Sequence, residues 1–375
     1  MPLPLVPEYG RSTLAEVVPA VAASLAVDGW TDALGLPGSD RWVVLLVDGL
    51  GAANLDAAAD DAPFLAGLRS NRHSTTVTSG APSTTATSIS CLGTGLAPGQ
   101  HGIVGYSFRN PVSGGLLNAL AWEDGLSALD VQPRLTAFER LAKSGVHVTS
   151  VSPARFQGSG LTEAALRGAR FHPVPDERDH AARIGWTVDA AASGGRSLVY
   201  LYERSLDHTG HAAGWRSDAW RSALGVVDDL VRTLRDALPS DTRLLVTGDH
   251  GMIDVPADHR VVAEDVPGLT AGVTLLAGEG RFRQLYVEPR DVAAVTRRWA
   301  GHLGERAWVT TRAEALEAGW FGPTDARTAS RIGDVLVVLR DDWAVMTRTQ
   351  PNEFGLVGMH GSLTDAEMRV PVLVA

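Results

Sequence analysis

The chain has 375 residues, a net charge of −10 at pH 7, a hydrophobic fraction of 45% and a mean hydropathy of +0.02, which are typical of a globular protein. A general nucleic-acid-binding function is disfavoured, because no basic stripe accompanies this acidic balance. The only cysteine is Cys91, which excludes an intramolecular disulfide and a cysteine-based zinc site. No basic, apolar leader begins the sequence and no apolar run approaches the roughly 20 residues of a membrane span, so we expect a cytoplasmic protein without a membrane partner.

Strand-like and helix-like patterns alternate along most of the chain. The apolar runs predict strands over residues 41–47, 74–78, 146–151, 198–202, 243–247 and 369–374. Periodic segments predict helices over residues 13–28, 84–92, 134–144 and 217–237, and a loop is expected at 98–102. The alternation predicts an α/β fold with a mostly parallel central sheet covered by helices on both faces.

The regular alternation of apolar strands and amphipathic helices is interrupted between residues 256 and 347. Two strands, at 273–276 and 284–287, precede a helix at 292–303. We expect one catalytic domain over residues 1–375, with a smaller α+β unit inserted at 256–347 as a subdomain or lid.

Acidic residues follow three of the predicted strands. Asp48 ends V-V-L-L-V-D, Asp249 follows L-L-V-T-G, and Asp207 comes shortly after L-V-Y-L-Y. Because ligands bind outside the carboxyl ends of the strands in open α/β sheets, we expect these carboxylates to meet at one edge. An uncompensated cluster of acids would raise its own pKa values, whereas two divalent metal ions would neutralise it.

Histidines accompany the same acids. His250 follows Asp249 directly, and His360 lies in G-M-H-G near the last strand. His211 stands four residues after Asp207, and Gly210 would let the expected loop bend so that both reach one cation. Each residue taken singly is more often structural or solvated. Together, three carboxylates and three imidazoles give three ligands to each of two metals and leave positions open for a substrate.

A hydroxyl nucleophile is expected in A-P-S-T-T-A-T-S, residues 81–88. Hydroxyls at the start of a helix lie near the positive end of its dipole and near free N–H groups, which suit a phosphate. A metal-bound Thr or Ser oxygen can attack phosphorus. The alternative is an ordinary Ser/Thr helix cap.

Five segments in order carry a family resemblance: V-D-G-L-G, P-S-T-T-A-T-S-I-S-C-L-G-T-G-L-A-P-G-Q-H-G-I-V-G-Y, D-H-T-G-H, G-D-H-G-M and G-M-H-G. They run from Asp48 to His360 and frame nearly all of the expected catalytic domain. The sequence resembles the alkaline phosphatase superfamily, in particular its type I phosphodiesterase/nucleotide pyrophosphatase branch. An alkaline-phosphatase-like fold is implied.

The resemblance also implies two divalent metal ions, with zinc as the expected metal, and a threonine nucleophile that contacts them. Two sets of three ligands are implied: Asp207, His211 and His360 for one ion, and Asp48, Asp249 and His250 for the other. In the family the nucleophile stands nine residues before the Thr of a T-G-L motif. Thr94 occupies that place, so Thr85 is implied as the nucleophile, with the adjacent Thr84 as the alternative.

The implied activity is hydrolysis of phosphodiester or pyrophosphate bonds of a small organic phosphate through a phospho-threonine intermediate. Two features depart from the family. Many nucleotide pyrophosphatases carry Asn three residues after the nucleophile, where this chain has Ser88. No clear counterpart exists of the arginine that holds a monoester, although Arg109 and Arg155 are nearby candidates. The alternatives are a phosphomonoesterase or phosphonate hydrolase of the same superfamily and a non-catalytic metal-binding protein on this fold.

Overall fold

The computed structural model describes residues 3–122 and 125–375. Its strands are β1 Arg41–Val47, β2 Thr75–Thr78, β3 Ser107–Arg109, β4 Leu116–Asn118, β5 His147–Pro153, β6 Arg170–Val174, β7 Ser197–Glu203, β8 Thr242–Gly248, β9 Ile253–Asp254, β10 Arg260–Val262, β11 Val273–Glu279, β12 Phe282–Val287, β13 Ala307–Thr311, β14 Val335–Leu339, β15 Ala344–Met346, β16 Gly358–Met359 and β17 Arg369–Val374. Its α-helices are α1 Val17–Ser24, α2 Ala52–Ala57, α3 Pro63–Leu68, α4 Thr85–Thr94, α5 Pro98–His101, α6 Ala128–Val131, α7 Ala137–Lys143, α8 Gly160–Ala165, α9 His180–Ala191, α10 Ser205–Ala213, α11 Asp218–Ala237, α12 Val292–Leu303, α13 Arg312–Glu317, α14 Ala326–Ala329 and α15 Asp365–Met368. Among the described residues, no helix is both long enough and apolar enough to cross a membrane.

A seven-stranded sheet forms the centre of the molecule, in the order β2-β17-β8-β1-β7-β5-β6. The five strands from β8 to β6 run parallel, and β17 pairs antiparallel with both β8 and β2. Val47 at the end of β1 is in register with Glu203 and Gly248. The carboxyl ends of β7, β1 and β8 are therefore level, and the predicted α/β fold with a mostly parallel sheet is confirmed.

Helices cover both faces of this sheet because the buried strands are apolar on both sides. Along β1, Trp42, Val44 and Leu46 pack in a core cluster with residues of α1, α4 and α7. Val43, Leu45 and Val47 pack in a second cluster, with residues of α3, α9 and α11. This alternation follows from the two-residue period of a strand.

Three local predictions differ from the structure. The predicted helix at 13–28 is a Thr13-capped 3₁₀ turn followed by α1, and Pro19 fits the first turn of α1, where a backbone N–H has no helical partner. The expected loop at 98–102 begins as the one-turn helix α5, with Pro98 in its first turn. The segment that carries Asp207 and His211 was expected to be a loop, but it is the helix α10.

A second sheet lies within residues 256–347, with its strands in the order β11-β12-β14-β13. All its pairings are antiparallel, and α12 packs against it around the fully buried Trp299. The hairpin between β11 and β12 reaches back to the main domain, where Arg281 forms a buried ion pair with Glu367. We propose that this region is the inserted subdomain, with the hairpin tip as its contribution to the site.

Candidate metal centre and active site

Three carboxylates meet where β1, β7 and β8 end. Asp48 directly follows β1, Asp249 directly follows β8, and Asp207 lies in the first turn of α10 just after β7. The backbone N–H of Gly49 donates to Asp249 Oδ1 at 2.9 Å. Gly49 has φ +78°, and a Cβ there would lie 3.0 Å from Asp207 Cα, so glycine permits the close approach of the two loops.

Helix α10 presents Asp207 and His211 on one face. Their spacing of four residues is one helical turn, and His211 Nε2 lies 3.4 Å from Asp207 Oδ1. The chain therefore needs no bend between them. Gly210 serves packing instead, because a Cβ there would lie 2.3 Å from the sulfur of Met252.

All three imidazoles are oriented by a backbone carbonyl. The Nδ1 atoms lie 2.8, 3.1 and 2.9 Å from a carbonyl oxygen, for His211 with Gly358, His250 with Gly251 and His360 with Ser83. A carbonyl oxygen only accepts, so each Nδ1 carries the proton in these contacts. Each Nε2 is then the atom that can offer its lone pair to a metal ion, in place of any proton it carries.

The Nε2 atoms point at the carboxylates. His250 Nε2 lies 3.4 Å from Asp48 Oδ1 and 3.6 Å from Asp249 Oδ2. His360 Nε2 lies 4.0 Å from Asp207 Oδ1. The six side chains implied by the resemblance are thus brought together at one edge of the sheet.

Electrostatics favour a cation at this place. Burial, reinforced by the neighbouring Asp48 carboxylate, raises the pKa values of Asp207 and Asp249 well above their ordinary range. Asp207 Oδ1 and Asp249 Oδ2 are buried, and neither has a hydrogen-bond partner among the described residues. Buried, unpaired carboxylate oxygens next to imidazole nitrogens form a donor set that suits a divalent transition metal.

The candidate ligands form two groups of three, and within each group the donor atoms all lie within 4.8 Å of one another. Asp48, Asp249 and His250 form one group, which matches the set implied for one ion. The other group contains Asp207 and His360 together with His250, whereas the resemblance implies His211 as the third ligand. His250 therefore stands between the two groups, and the assignment of ligands to individual ions stays a prediction.

The hydroxyl of Thr85 faces this cluster. Thr85 begins α4, and its Oγ1 lies 3.2 Å from His250 Nε2 and 3.5 Å from Asp48 Oδ1. Thr84 is the N-cap residue, and its hydroxyl donates to Glu279 Oε2 at 3.2 Å. Of the two threonines, Thr85 is the one whose oxygen lies among the candidate ligands.

A cavity of about 370 Å³ opens beside the cluster and is lined by Asp48, Thr85, Asp207, His211 and His360. One wall is apolar and contains Ile89, Phe156, Leu161 and Leu166. Neither arginine suggested by the sequence is among the lining residues. Arg109 lies over the ring of Tyr286 at 4.3 Å, and Arg155 pairs with Glu177. Both candidates are therefore engaged elsewhere.

Three polar residues of the cavity, among others, were not predicted from the sequence. Tyr202 donates a hydrogen bond from its hydroxyl to Asp48 Oδ2. Glu279 comes from the tip of the β11–β12 hairpin, and Arg204 comes from the start of α10. Tyr202 lies near the end of the apolar strand β7, which leads into the site, and this position in the sequence could have marked it as a site residue. Nothing in the local sequence marks Glu279, because its position depends on how the hairpin folds back.

Comparison with known proteins gives one family match. The model of the family "Type I phosphodiesterase / nucleotide pyrophosphatase" matches residues 42–363. That range includes every candidate ligand and both threonines.

The solved structures that share this fold include two kinds of enzyme. Murine ectonucleotide pyrophosphatase/phosphodiesterase 5 superposes with a TM-score of 0.71 at 18% identity, over 88% of this chain and 87% of that one. An inactive variant of the murine protein, solved in complex with AMP, has a TM-score of 0.71 at 17% identity, over 89% of this chain and 87% of that one. Phosphonoacetate hydrolase from Sinorhizobium meliloti 1021, in complex with phosphonoformate, has a TM-score of 0.67 at 20% identity, over 90% of each chain.

Proposed function

The chain belongs to the type I phosphodiesterase/nucleotide pyrophosphatase family, and on this premise we propose that it is a metal-dependent hydrolase of phosphodiester or pyrophosphate bonds in a small organic phosphate. Phosphoester hydrolysis follows from the family. The metal ions, the threonine intermediate and the substrate are the parts that we propose.

The position of Thr85 is the observation that carries the proposal. Its hydroxyl oxygen lies 3.2 Å from His250 Nε2 and 3.5 Å from Asp48 Oδ1, at the first residue of α4. A hydroxyl among candidate metal ligands and at a helix N-terminus is placed to become a nucleophile toward a phosphoryl group.

The proposed reaction has two displacements. Thr85 Oγ1 attacks phosphorus and the bond from phosphorus to the leaving oxygen breaks, which gives a phospho-threonine. Water then attacks the same phosphorus and returns the hydroxyl to Thr85. Divalent ions, when bound, would lower the pKa of the attacking hydroxyl and stabilise charge on the leaving oxygen.

The residues of the chain have separate tasks in this scheme. Asp48, Asp249 and His250 would hold one ion, and Asp207, His211 and His360 the other. The first turn of α4 favours the negative charge of the phosphoryl oxygens. The apolar wall with Phe156 and Leu161 supports an organic substituent on the phosphate. Because a related fold was solved with AMP, a nucleoside monophosphate is the first product to test as a ligand.

Two chromogenic substrates test the proposed preference. The protein, loaded with zinc, is assayed with bis(4-nitrophenyl) phosphate and with 4-nitrophenyl phosphate. We expect the diester to give a kcat/KM about tenfold higher, because Arg109 and Arg155, the arginines suggested for holding a monoester, do not line the cavity. A preference for the monoester would overturn the proposal.

A phosphonate hydrolase is the second candidate function. The observation that favours it is Arg204, a cation that lines the same cavity and suits a substrate with a second acidic group. A non-catalytic metal-binding protein would instead bind metal and hydrolyse none of these esters. We also propose zinc as the metal and the cytoplasm as the location.

A further inference from the structure

Arg204 has a fixed guanidinium with free donors at the wall of the cavity. It lies three residues before Asp207 at the start of α10, and its side chain is 36% exposed. Arg204 Nε donates to Glu177 Oε2 at 2.9 Å. Within residues 3–122 and 125–375, its two terminal nitrogens donate to no protein acceptor. The contact to Glu177 orients the side chain, while the outer edge of the guanidinium stays available.

The charge around Arg204 is not balanced locally. Glu177 is shared, because its Oε1 atom accepts from Arg155 while Oε2 accepts from Arg204. Two guanidinium groups therefore share one carboxylate, and the other acid whose charge interacts with Arg204 is Asp207, a candidate metal ligand. If Asp207 binds a metal ion, the positive charge of Arg204 is available to an anionic group of the substrate.

From this geometry we propose that Arg204 binds a second anionic group of the substrate, beside the phosphoryl group that is cleaved. The inference rests on the proposed function and names a substrate class for it. A planar guanidinium with two free terminal nitrogens matches a carboxylate or phosphate through paired hydrogen bonds. Arg204 directly precedes α10, Asp207 lies in its first turn and both line the cavity, so the anion would lie next to the candidate metal centre.

The second anionic group has two possible chemical sources. It is the distal phosphate of a diphosphate, or it is the carboxylate of a phosphono acid. Both present oxygens that accept two parallel hydrogen bonds. Simple aryl diesters lack such a group, so they measure the reaction without this contact.

The substitution Arg204→Gln removes the charge and keeps a polar side chain. Wild-type and variant are loaded with zinc and assayed with bis(4-nitrophenyl) phosphate, with ADP and with phosphonoacetate. We expect kcat/KM to fall about 10- to 100-fold for ADP or for phosphonoacetate, the size of a lost charge-assisted hydrogen bond. The kcat/KM for bis(4-nitrophenyl) phosphate should change by less than about twofold. A loss with ADP would identify the second anionic group as a phosphate, and a loss with phosphonoacetate would identify it as a carboxylate.

Arg178→Gln is the matched control, because Arg178 is exposed and pairs with Asp176 near Glu177 but does not line the cavity. It should leave all three values unchanged. Arg204→Lys keeps the positive charge but lacks the paired donors of a planar guanidinium, so it should retain part of the activity that Arg204→Gln loses. An equal loss on the diester, or no loss on either anionic substrate, would overturn the assignment.

A binding measurement separates this inference from the proposed function. Methylenediphosphonate and malonate each carry two acidic groups and are not cleaved, whereas methylphosphonate carries one. Zinc-loaded wild-type protein should bind one of the first two at least about tenfold more tightly than methylphosphonate, and Arg204→Gln should remove the difference. If the wild-type protein hydrolyses none of the substrates, the proposed function is refuted. If wild-type and Arg204→Gln show the same preference for ligands with two acidic groups over methylphosphonate, the role of Arg204 is refuted.

Discussion

The imidazole rings of His250 and His360 stack with their centroids 3.5 Å apart and their planes 14° from parallel. Burial alone would lower the pKa of His250, but the carboxylates of Asp249 and Asp48 outweigh it and raise the pKa to about 10. Burial and the neighbouring His250 lower the pKa of His360 well below its ordinary value. The pair therefore consists of one cationic and one neutral ring. We infer that a bound divalent ion replaces the proton of His250, because both neutralise the same carboxylates.

The first prediction concerns the pH dependence of the metal-free protein. Because the pKa of His250 is raised to about 10 from an ordinary value of 6.5, its contribution to stability is complete below pH 6.5 and is lost as pH rises through about 10. The raised pKa values of Asp207 and Asp249 act in the same direction. The melting temperature of chelator-treated protein should therefore fall between pH 6.5 and pH 10.

Two controls belong to this titration. The zinc-loaded protein should gain stability over the metal-free protein as pH rises, because ligands bind metal in their deprotonated form. His250→Asn should flatten the decline in the metal-free protein. A metal-free protein that grows more stable from pH 6.5 to pH 9 would contradict the proposed charge state.

The second prediction is that Asp207→Asn stabilises the metal-free protein and impairs the enzyme. Asp207 Oδ1 is buried without a hydrogen bond, and burial together with the neighbouring Asp48 carboxylate raises the pKa of Asp207. Removing that charge relieves repulsion, so we expect the melting temperature without metal to rise by about 2 °C or more. Zinc content and activity should both fall. A decrease in metal-free stability together with full zinc content would count against a metal role for Asp207.

Tyr202 and Tyr200 offer a matched pair of variants for a third prediction. Both lie on β7 and line the cavity, but only Tyr202 donates to Asp48, whereas the Tyr200 hydroxyl is buried without a hydrogen bond. Tyr202→Phe should weaken zinc binding about 10- to 100-fold, as expected when a group that orients a metal ligand is lost. Tyr200→Phe should leave zinc affinity within about twofold. Competition with a chromogenic chelator measures both, and equal effects would refute the role of Tyr202.

The sequence was sufficient for the part of the site that depends on strand ends. Asp48 and Asp249 directly follow buried strands, so the parallel sheet alone brings them together. The short polar stretch around Asp207 resembled a loop because its apolar content is low, yet it is the helix α10, whose Leu206 is fully buried in the core. Glu279 reaches the cavity because the β11–β12 hairpin folds back, and the side chain of Arg204 is oriented by its ion pair with Glu177. Neither contact can be read from residue spacing in the sequence.

The fourth prediction separates the two threonines. Thr85→Ala should lower kcat by at least about 1,000-fold, since it removes the proposed nucleophile, while zinc content stays nearly unchanged. Thr84→Ala removes only the hydrogen bond to Glu279 and should cost less than about tenfold. Steady-state kinetics and elemental analysis of the same preparations measure both quantities. Full activity of Thr85→Ala, or loss only in Thr84→Ala, would move the nucleophile.

The two-ion centre is tested most directly by anomalous diffraction at the zinc edge, from crystals grown with zinc and vanadate. We predict two zinc peaks, one among Asp207, His211 and His360 and one among Asp48, Asp249 and His250, with vanadium bonded to Thr85 Oγ1 between them. A single zinc peak, an ion held by other residues, or vanadium bonded to Thr84 would contradict the proposed centre.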